Sequence, residues 1–256
     1  MNVSCSTCSI PKYDLDAAVE AIKHAGYDYM EAFTTWTNCA LGPGKAPPGE
    51  VRALLARHGV GLSSLNGHGM TAASVAEIDE CMAPILGDLR YAKELGLKRL
   101  NIRGAKRDQP MEVFVEGLRA VAQEAAAMDM GLIIGNHSGN RLERPEDLAT
   151  ALEGANAENV GILVDAGHFY SVQVDPATAI RGLGEHLELL HVKDQIGRES
   201  VPLGTGEMDL PGILQAARDV GYDGFVVVEM EVEDAENTER YLAEARTYLD
   251  HLLERS

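Results

Sequence analysis

The sequence predicts an α/β protein, a single-domain (β/α)8 TIM barrel over residues 1–256. Two observations carry that expectation. Short apolar runs alternate with helix-like segments along the whole chain, with glycine at the joints, and the count comes to eight strands and eight helices. Three consecutive runs, GILVD, LELLH and FVVVE, each end in a metal-competent side chain: Asp165, His191 and Glu229. Composition agrees: 45% hydrophobic but only 5% aromatic residues suit a large core of Ala, Val, Leu and Ile. No Pro/Gly/Ser linker or charge block divides the chain, and the rival open doubly wound sheet lacks a G-x-G-x-x-G after the first strand.

Taken in order, the first strand is Val3 to Ser6, and a helix from Leu15 to His24 follows, capped by Asp14 and ended by Gly26. YDYMEAF is the second strand, ending near Glu31. The Gly- and Pro-rich segment Thr34 to Gly49, which holds the sole tryptophan, Trp36, reads as a long loop of the kind that carries function. A helix from Glu50 to Arg57 stops at Gly59, and GLSSLNGHGM supplies the third strand with His68 just beyond it. The helical region Ser74 to Leu95 contains Pro84, which predicts a break or kink there. Strand four is Arg99 to Ile102 and helix four Met111 to Met128. Gly131 opens strand five, GLIIGNH, before a helix from Pro145 to Leu152. Strand six opens at Val160, helix six is Pro176 to Arg181, strand seven ends at His191, helix seven is Pro211 to Val220 and strand eight ends at Glu229. An acidic helix from Asp234 to Leu253 closes the chain, with the glutamates from Glu231 to Glu239 as its solvated start. A weak internal echo, AGYDYMEA at Ala25 and VGYDGFVVVE at Val220, sets Gly-Tyr-Asp before a strand that ends in Glu.

A net charge of −18, from 22 Lys+Arg against 40 Asp+Glu, repels a phosphate backbone and argues against nucleic acid as a partner. No run reaches the ~18 apolar residues of a membrane helix and the first residues resemble no secretory signal, so a cytoplasmic location without membrane contact is expected. A small-molecule sugar is the expected partner, and a homo-oligomer stays open. Of the cysteines Cys5, Cys8, Cys39 and Cys81, only the first two are closely spaced, and a single C-x-x-C reads as free thiols near the first strand's end rather than a redox or zinc motif.

The chemistry gathers at the strand ends. A strand buried on both faces cannot hold a bare carboxylate within its core, so Asp165 must sit at the C-terminal mouth. Arranged in a ring, Asp165, His191 and Glu229 come from adjacent strands and converge there. Carboxylates with an imidazole suit a divalent metal, Mn2+ first, then Co2+, Mg2+ or Zn2+, and three protein ligands leave positions open for substrate oxygens. Lys193 beyond His191, His68 and Trp36 are candidate substrate-binding residues.

VDAGH, HVKD, PLGTGEMD (Pro202 to Asp209) and GYDGFVVVE together resemble the xylose-isomerase-like barrel superfamily of sugar isomerases and epimerases, which also holds the endonuclease IV enzymes. The resemblance covers essentially the whole chain. It implies that Asp165, His191 and Glu229 are metal ligands, that His168 contacts substrate oxygens, and that Glu229 removes a proton next to a carbonyl to give an enediolate. Arg198 and Glu207 match hydroxypyruvate-isomerase-like members, where Glu207 would bond a substrate hydroxyl or orient a ligand. One departure stands out: the family ends strand five in Glu-Asn-His, whereas this chain has Gly135-Asn136-His137. The fourth ligand and one of two bases are thereby absent, and His137, on the same side of the strand as position 135, is the residue left to reach the metal. The leading expectation is a metal-dependent isomerase or epimerase of a small keto sugar or polyol. A lyase or dehydratase acting on a keto sugar or inosose is the alternative, and a non-catalytic sugar-binding barrel, a variant made inactive by the lost glutamate, is the third.

Overall fold

A computed structural model describes all of residues 1–256 except 233, 235, 255 and 256. The barrel strands are β1 (Asn2–Ser6), β2 (Tyr29–Phe33), β3 (Gly61–Asn66), β4 (Arg99–Ile102), β5 (Gly131–Gly135), β6 (Val160–Asp165), β7 (Leu187–Val192) and β10 (Phe225–Val228). They close into one ring in the order β1-β10-β7-β6-β5-β4-β3-β2, every adjacent pair parallel. A two-stranded antiparallel hairpin, β8 (Asp194–Ile196) with β9 (Glu199–Val201), rises from the end of β7.

Helices α1 (Leu15–His24), α2 (Pro48–His58), α3 (Ile78–Glu94), α4 (Met111–Ala127), α5 (Pro145–Ala155), α7 (Pro176–Leu183), α8 (Leu210–Asp219) and α9 (Thr238–Glu254) follow the barrel strands in turn. Each buries one stripe. On α4 it is Phe114, Leu118, Val121, Ala122 and Ala125, the spacing of one helical face. Asp14 accepts the backbone N–H of Ala17, which is the predicted cap of α1. The barrel interior has its own cluster, Ile133, Leu163, Leu189 and Val227. Strand side chains alternate, so the inward positions one layer up are Gly135, Asp165, His191 and Glu229.

Four local expectations change. Helix α3 runs unbroken through Pro84, preceded by a 3-10 turn at Val75–Glu77; Pro84 lies on the exposed face, where solvent can take the carbonyl it frees. A short extra helix, α6 (Ala166–Ser171), starts directly at Asp165, so the described residues hold nine α-helices. The last helix begins at Thr238 rather than Asp234. Glu231 is not merely a solvated helix start, because it accepts a bond from Lys193; Glu233 lies outside the described residues. All four cysteines are free thiols, with Cys5, Cys8 and Cys39 buried. No helix among the described residues is long and apolar enough to cross a membrane.

The loops at the C-terminal mouth are tied together by one carboxylate. Asp147 at the start of α5 pairs with Arg107 of the β4–α4 loop and with Arg141 of the β5–α5 loop, 2.9 Å away, and accepts the backbone N–H groups of Glu143 and Arg144. Burial pushes its pKa up, but these donors outweigh that and hold it below the usual aspartate value. A lowered folded pKa means the contribution is present above the ~3.9 of an unfolded aspartate and is lost as pH falls through the folded value. Asp147→Asn is therefore expected to cost about 1–2 kcal/mol in urea unfolding at pH 7. That cost should shrink as the pH falls below about 4, where the wild-type carboxylate also protonates.

Candidate metal and substrate site

The inward layer above the apolar plug is a cluster of charges. His191 is fixed on both sides. Its Nε2 lies 2.9 Å from Oε2 of Glu31, a fully buried glutamate on β2. Glu31 also accepts Ser6 Oγ at 3.0 Å, Ser64 Oγ at 2.6 Å and Asn101 Nδ2 at 3.4 Å. With its oxygens so occupied, Glu31 acts as the orienting acceptor for His191, the usual outer partner of a metal-binding imidazole. The Nδ1 of His191 then faces Glu229 Oε2 at 3.4 Å and Asp165 Oδ2 at 3.8 Å.

An imidazole edge facing two buried carboxylates calls for positive charge between them, whether a proton or a metal ion. Burial disfavours a charged His191, yet Glu31, Glu229 and Asp165 raise its pKa well above the usual histidine value. A positive charge belongs at that nitrogen, and a divalent ion held by Asp165, His191 and Glu229 satisfies the same demand. Ligand atoms of Asp165, His168 and Glu229 lie within 4.8 Å of one another, as do those of Glu31, His191 and Glu229; the hydrogen bonds on Glu31 assign it to orientation.

Lys193, two residues on and fully buried, completes the cluster. Its Nζ lies 2.8 Å from Glu229 Oε2, 3.3 Å from Asp165 Oδ2 and 3.1 Å from Glu231 Oε2. Burial works against its charge, but these three carboxylates hold its pKa well above the normal lysine value. The same cations offset burial for Glu229 and Asp165, which stay below the usual carboxylate range. Gly167 lies against the Lys193 stem, leaving no room for a Cβ. Asp165 also caps α6 by accepting the N–H of His168, which seats the His168 ring with Nε2 3.7 Å from Asp165 Oδ2. Burial lowers the His168 pKa despite Asp165, so the ring is neutral.

Above this layer lies a small cavity of about 80 Å³ whose walls include Phe33, Arg103, Gly135, His137 and His168. Strand β5 gives it no side chain at the level of the acids; a Cβ on Gly135 would meet only Leu163, at 3.2 Å. His137 stands at the mouth, solvent-exposed. Its ring stacks on His168 with centroids 3.8 Å apart and its Nδ1 is bonded to the Ser138 carbonyl, which sets it apart from the carboxylate–imidazole cluster below. Trp36 is 54% exposed and packs edge-on against Phe33 rather than facing the cavity itself. His68 is held by buried Asp88, which accepts both its backbone N–H and its Nδ1.

Arg198 and Glu207 lie elsewhere. Together with Tyr170 they line a separate, open cavity of about 850 Å³. Glu207 accepts the Tyr170 hydroxyl at 3.1 Å and the Gly197 N–H at 3.3 Å. The hairpin carries them away from the carboxylate–imidazole cluster, while Asp194 folds the PLGTGEMD loop by accepting the N–H groups of Gly204, Gly206 and Met208. Two site residues, Glu31 and Arg103, were absent from the sequence expectations. The Gly-Tyr-Asp echo was the one signal for Glu31, since it matches that residue to Glu229.

A closed barrel with a carboxylate–imidazole cluster at its C-terminal mouth defines the class of protein. Residues 19–252 match the family described as xylose isomerase-like TIM barrel, and the chain belongs to that family. It is 25% identical over 164 residues to inosose dehydratase of Lacticaseibacillus casei, covering 56% of this chain and 55% of that one. It is 30% identical over 118 residues to D-psicose 3-epimerase of Enterocloster bolteae, covering 45% and 38%. The chain thus spans about half the length of the inosose dehydratases it matches. In fold it is similar to the solved IolI protein with a bound zinc atom, with TM-score 0.84, 18% identity and coverage of 100% and 99%.

Elemental analysis is expected to find about one divalent ion per chain, lost in Asp165→Ala and His191→Ala; equal metal in these variants would remove the assignment. Glu31→Gln should keep the ion but bind it about 10–100-fold more weakly by calorimetric titration, as expected for loss of the partner that orients a ligand.

Proposed function

We propose that the site removes a proton from the carbon beside a carbonyl in a small keto sugar or inosose, and that a β-hydroxyl is then eliminated as water. The observation that supports this is the asymmetry of the inward layer: β6, β7 and β10 contribute Asp165, His191 and Glu229, while β5 contributes Gly135. Epimerisation by two opposed bases needs a second carboxylate across the substrate. Elimination needs only one.

Asp165, His191 and Glu229 would hold the divalent ion, which when bound polarises the carbonyl and offsets charge that develops on its oxygen. Mn2+ and Zn2+ are the first ions to test. Glu229 takes the C–H proton, and the electron pair moves onto the carbonyl oxygen. As the carbonyl re-forms, the bond to the β-hydroxyl breaks and Glu229 returns its proton to that oxygen, which leaves as water. Lys193 holds Glu229 and Asp165 in place from the buried side, and neutral His168 at the cavity wall offers an N–H to a substrate hydroxyl. Isomerisation is the second reading, since it also runs on one base.

Products of the metal-loaded protein with an inosose and with ketohexoses, analysed by mass spectrometry, test the proposal. Loss of one water is expected, with Glu229→Gln slower by about 10²–10⁴-fold. Products of unchanged mass alone would replace elimination by isomerisation or epimerisation. Gly135→Glu should tighten metal binding but slow dehydration, because the added carboxylate fills space the substrate uses.

A further inference from the structure

We infer that the substrate of this site is anionic, and that Arg103 receives its carboxylate or phosphate group. The inference deepens the proposed reading by naming a substrate class, and it rests on the same cavity.

Arg103 directly follows β4 and forms part of the cavity wall opposite the acids of the metal cluster. Its backbone is pinned, because the Met70 N–H donates to its carbonyl at 2.8 Å and Gly69 packs against that carbonyl too closely for any Cβ. Its guanidinium is anchored at one point, where Nη2 donates to Thr35 Oγ1 at 3.2 Å. Among the described residues no carboxylate forms a direct ion pair with it, Glu229 across the cavity acting on its charge only from a distance, although acidic side chains outnumber basic ones 40 to 22 in this chain. An exposed guanidinium tethered at one point beside a cavity, with most of its donor fork open, is suited to take up a carboxylate or phosphate.

The rest of the wall points the same way. The stacked rings of His137 and His168 bring imidazole nitrogens to the mouth, and Gly135 withholds an acid where the neighbouring strands supply them. A neutral polyol would leave the fork solvated and gain little from Arg103. An anion beside the reacting carbonyl gains charge-assisted hydrogen bonds and a fixed orientation. The small volume of about 80 Å³ suits a compact group at this point rather than a long substituent.

Calorimetric titration of the Mn2+-loaded protein with D-fructose, 5-keto-D-gluconate and D-fructose 6-phosphate tests the inference on six-carbon ketones that are neutral, carboxylated or phosphorylated. At least one anion is expected to bind about 10–100-fold more tightly than fructose, and which one does so identifies the group. Arg103→Met should weaken binding of the preferred anion far more than that of fructose, with no change in melting temperature, and Arg103→Lys should restore part of the preference. Equal affinity for all three ligands, or equal weakening of all three in Arg103→Met, would overturn the inference. Anion preference without any dehydrated product would retire the proposed reaction and leave the inference standing. Dehydration of neutral ketones without anion preference would do the reverse.

Discussion

The carboxylate of Glu31 is the constraint on which the rest of the site depends. It comes from β2, is fully buried, and is bonded to side chains from β1, β3, β4 and β7: Ser6, Ser64, Asn101 and His191. A buried charge with this many donors is tolerated; one deprived of them is costly. Satisfying it pins five of the eight barrel strands at one level. The fold and the site therefore share a single hydrogen-bonded network. Its structural product is the orientation of His191, whose Nδ1 is turned toward Asp165 and Glu229.

Charge balance then explains the residues around that network. Asp165, Glu229 and Glu231 converge on the same small volume, and Lys193 threads up from β7 to meet all three. Its stem occupies the space that Gly167 leaves open at the start of α6. Replacing that glycine by any larger residue would displace either the lysine or the helix that presents His168. The VDAGH sequence thus encodes a mouth carboxylate that also caps a helix, a space for the lysine and a cavity-wall imidazole in five consecutive positions.

Much of this was legible in the sequence, and what was missed has physical reasons. The alternation of strands and helices, and the polar residues that end three apolar runs, follow from burial rules that operate locally, so the barrel and the convergence of Asp165, His191 and Glu229 at one mouth could be read directly. Glu31 looked like one more acidic strand end, because its role exists only through partners distant in sequence. Arg198 and Glu207 flank a loop whose path is set by Asp194 and by the β8–β9 hairpin, and neither has a periodicity that reveals direction. Pro84 suggested a broken helix, but a lost hydrogen bond on an exposed face is a modest cost against the packing of Ile85 and Leu89 beside it.

Gly135 ties these threads together. A glycine in a barrel strand is normally a weakness, since it adds backbone entropy to the unfolded chain and contributes nothing to packing. Here a Cβ would crowd the flexible Leu163 side chain at 3.2 Å but meet no backbone close by, so a side chain needs only a small shift of Leu163. Its consequence is chemical. The layer has its acids on β6 and β10, its imidazole on β7, its orienting carboxylate on β2 and an open side on β5. Arg103 of the next strand borders that open side, with no acid between it and the cluster on the intervening strand. One missing carboxylate thus lowers the negative charge, enlarges the cavity and exposes a guanidinium to it, and these three effects favour the same kind of ligand.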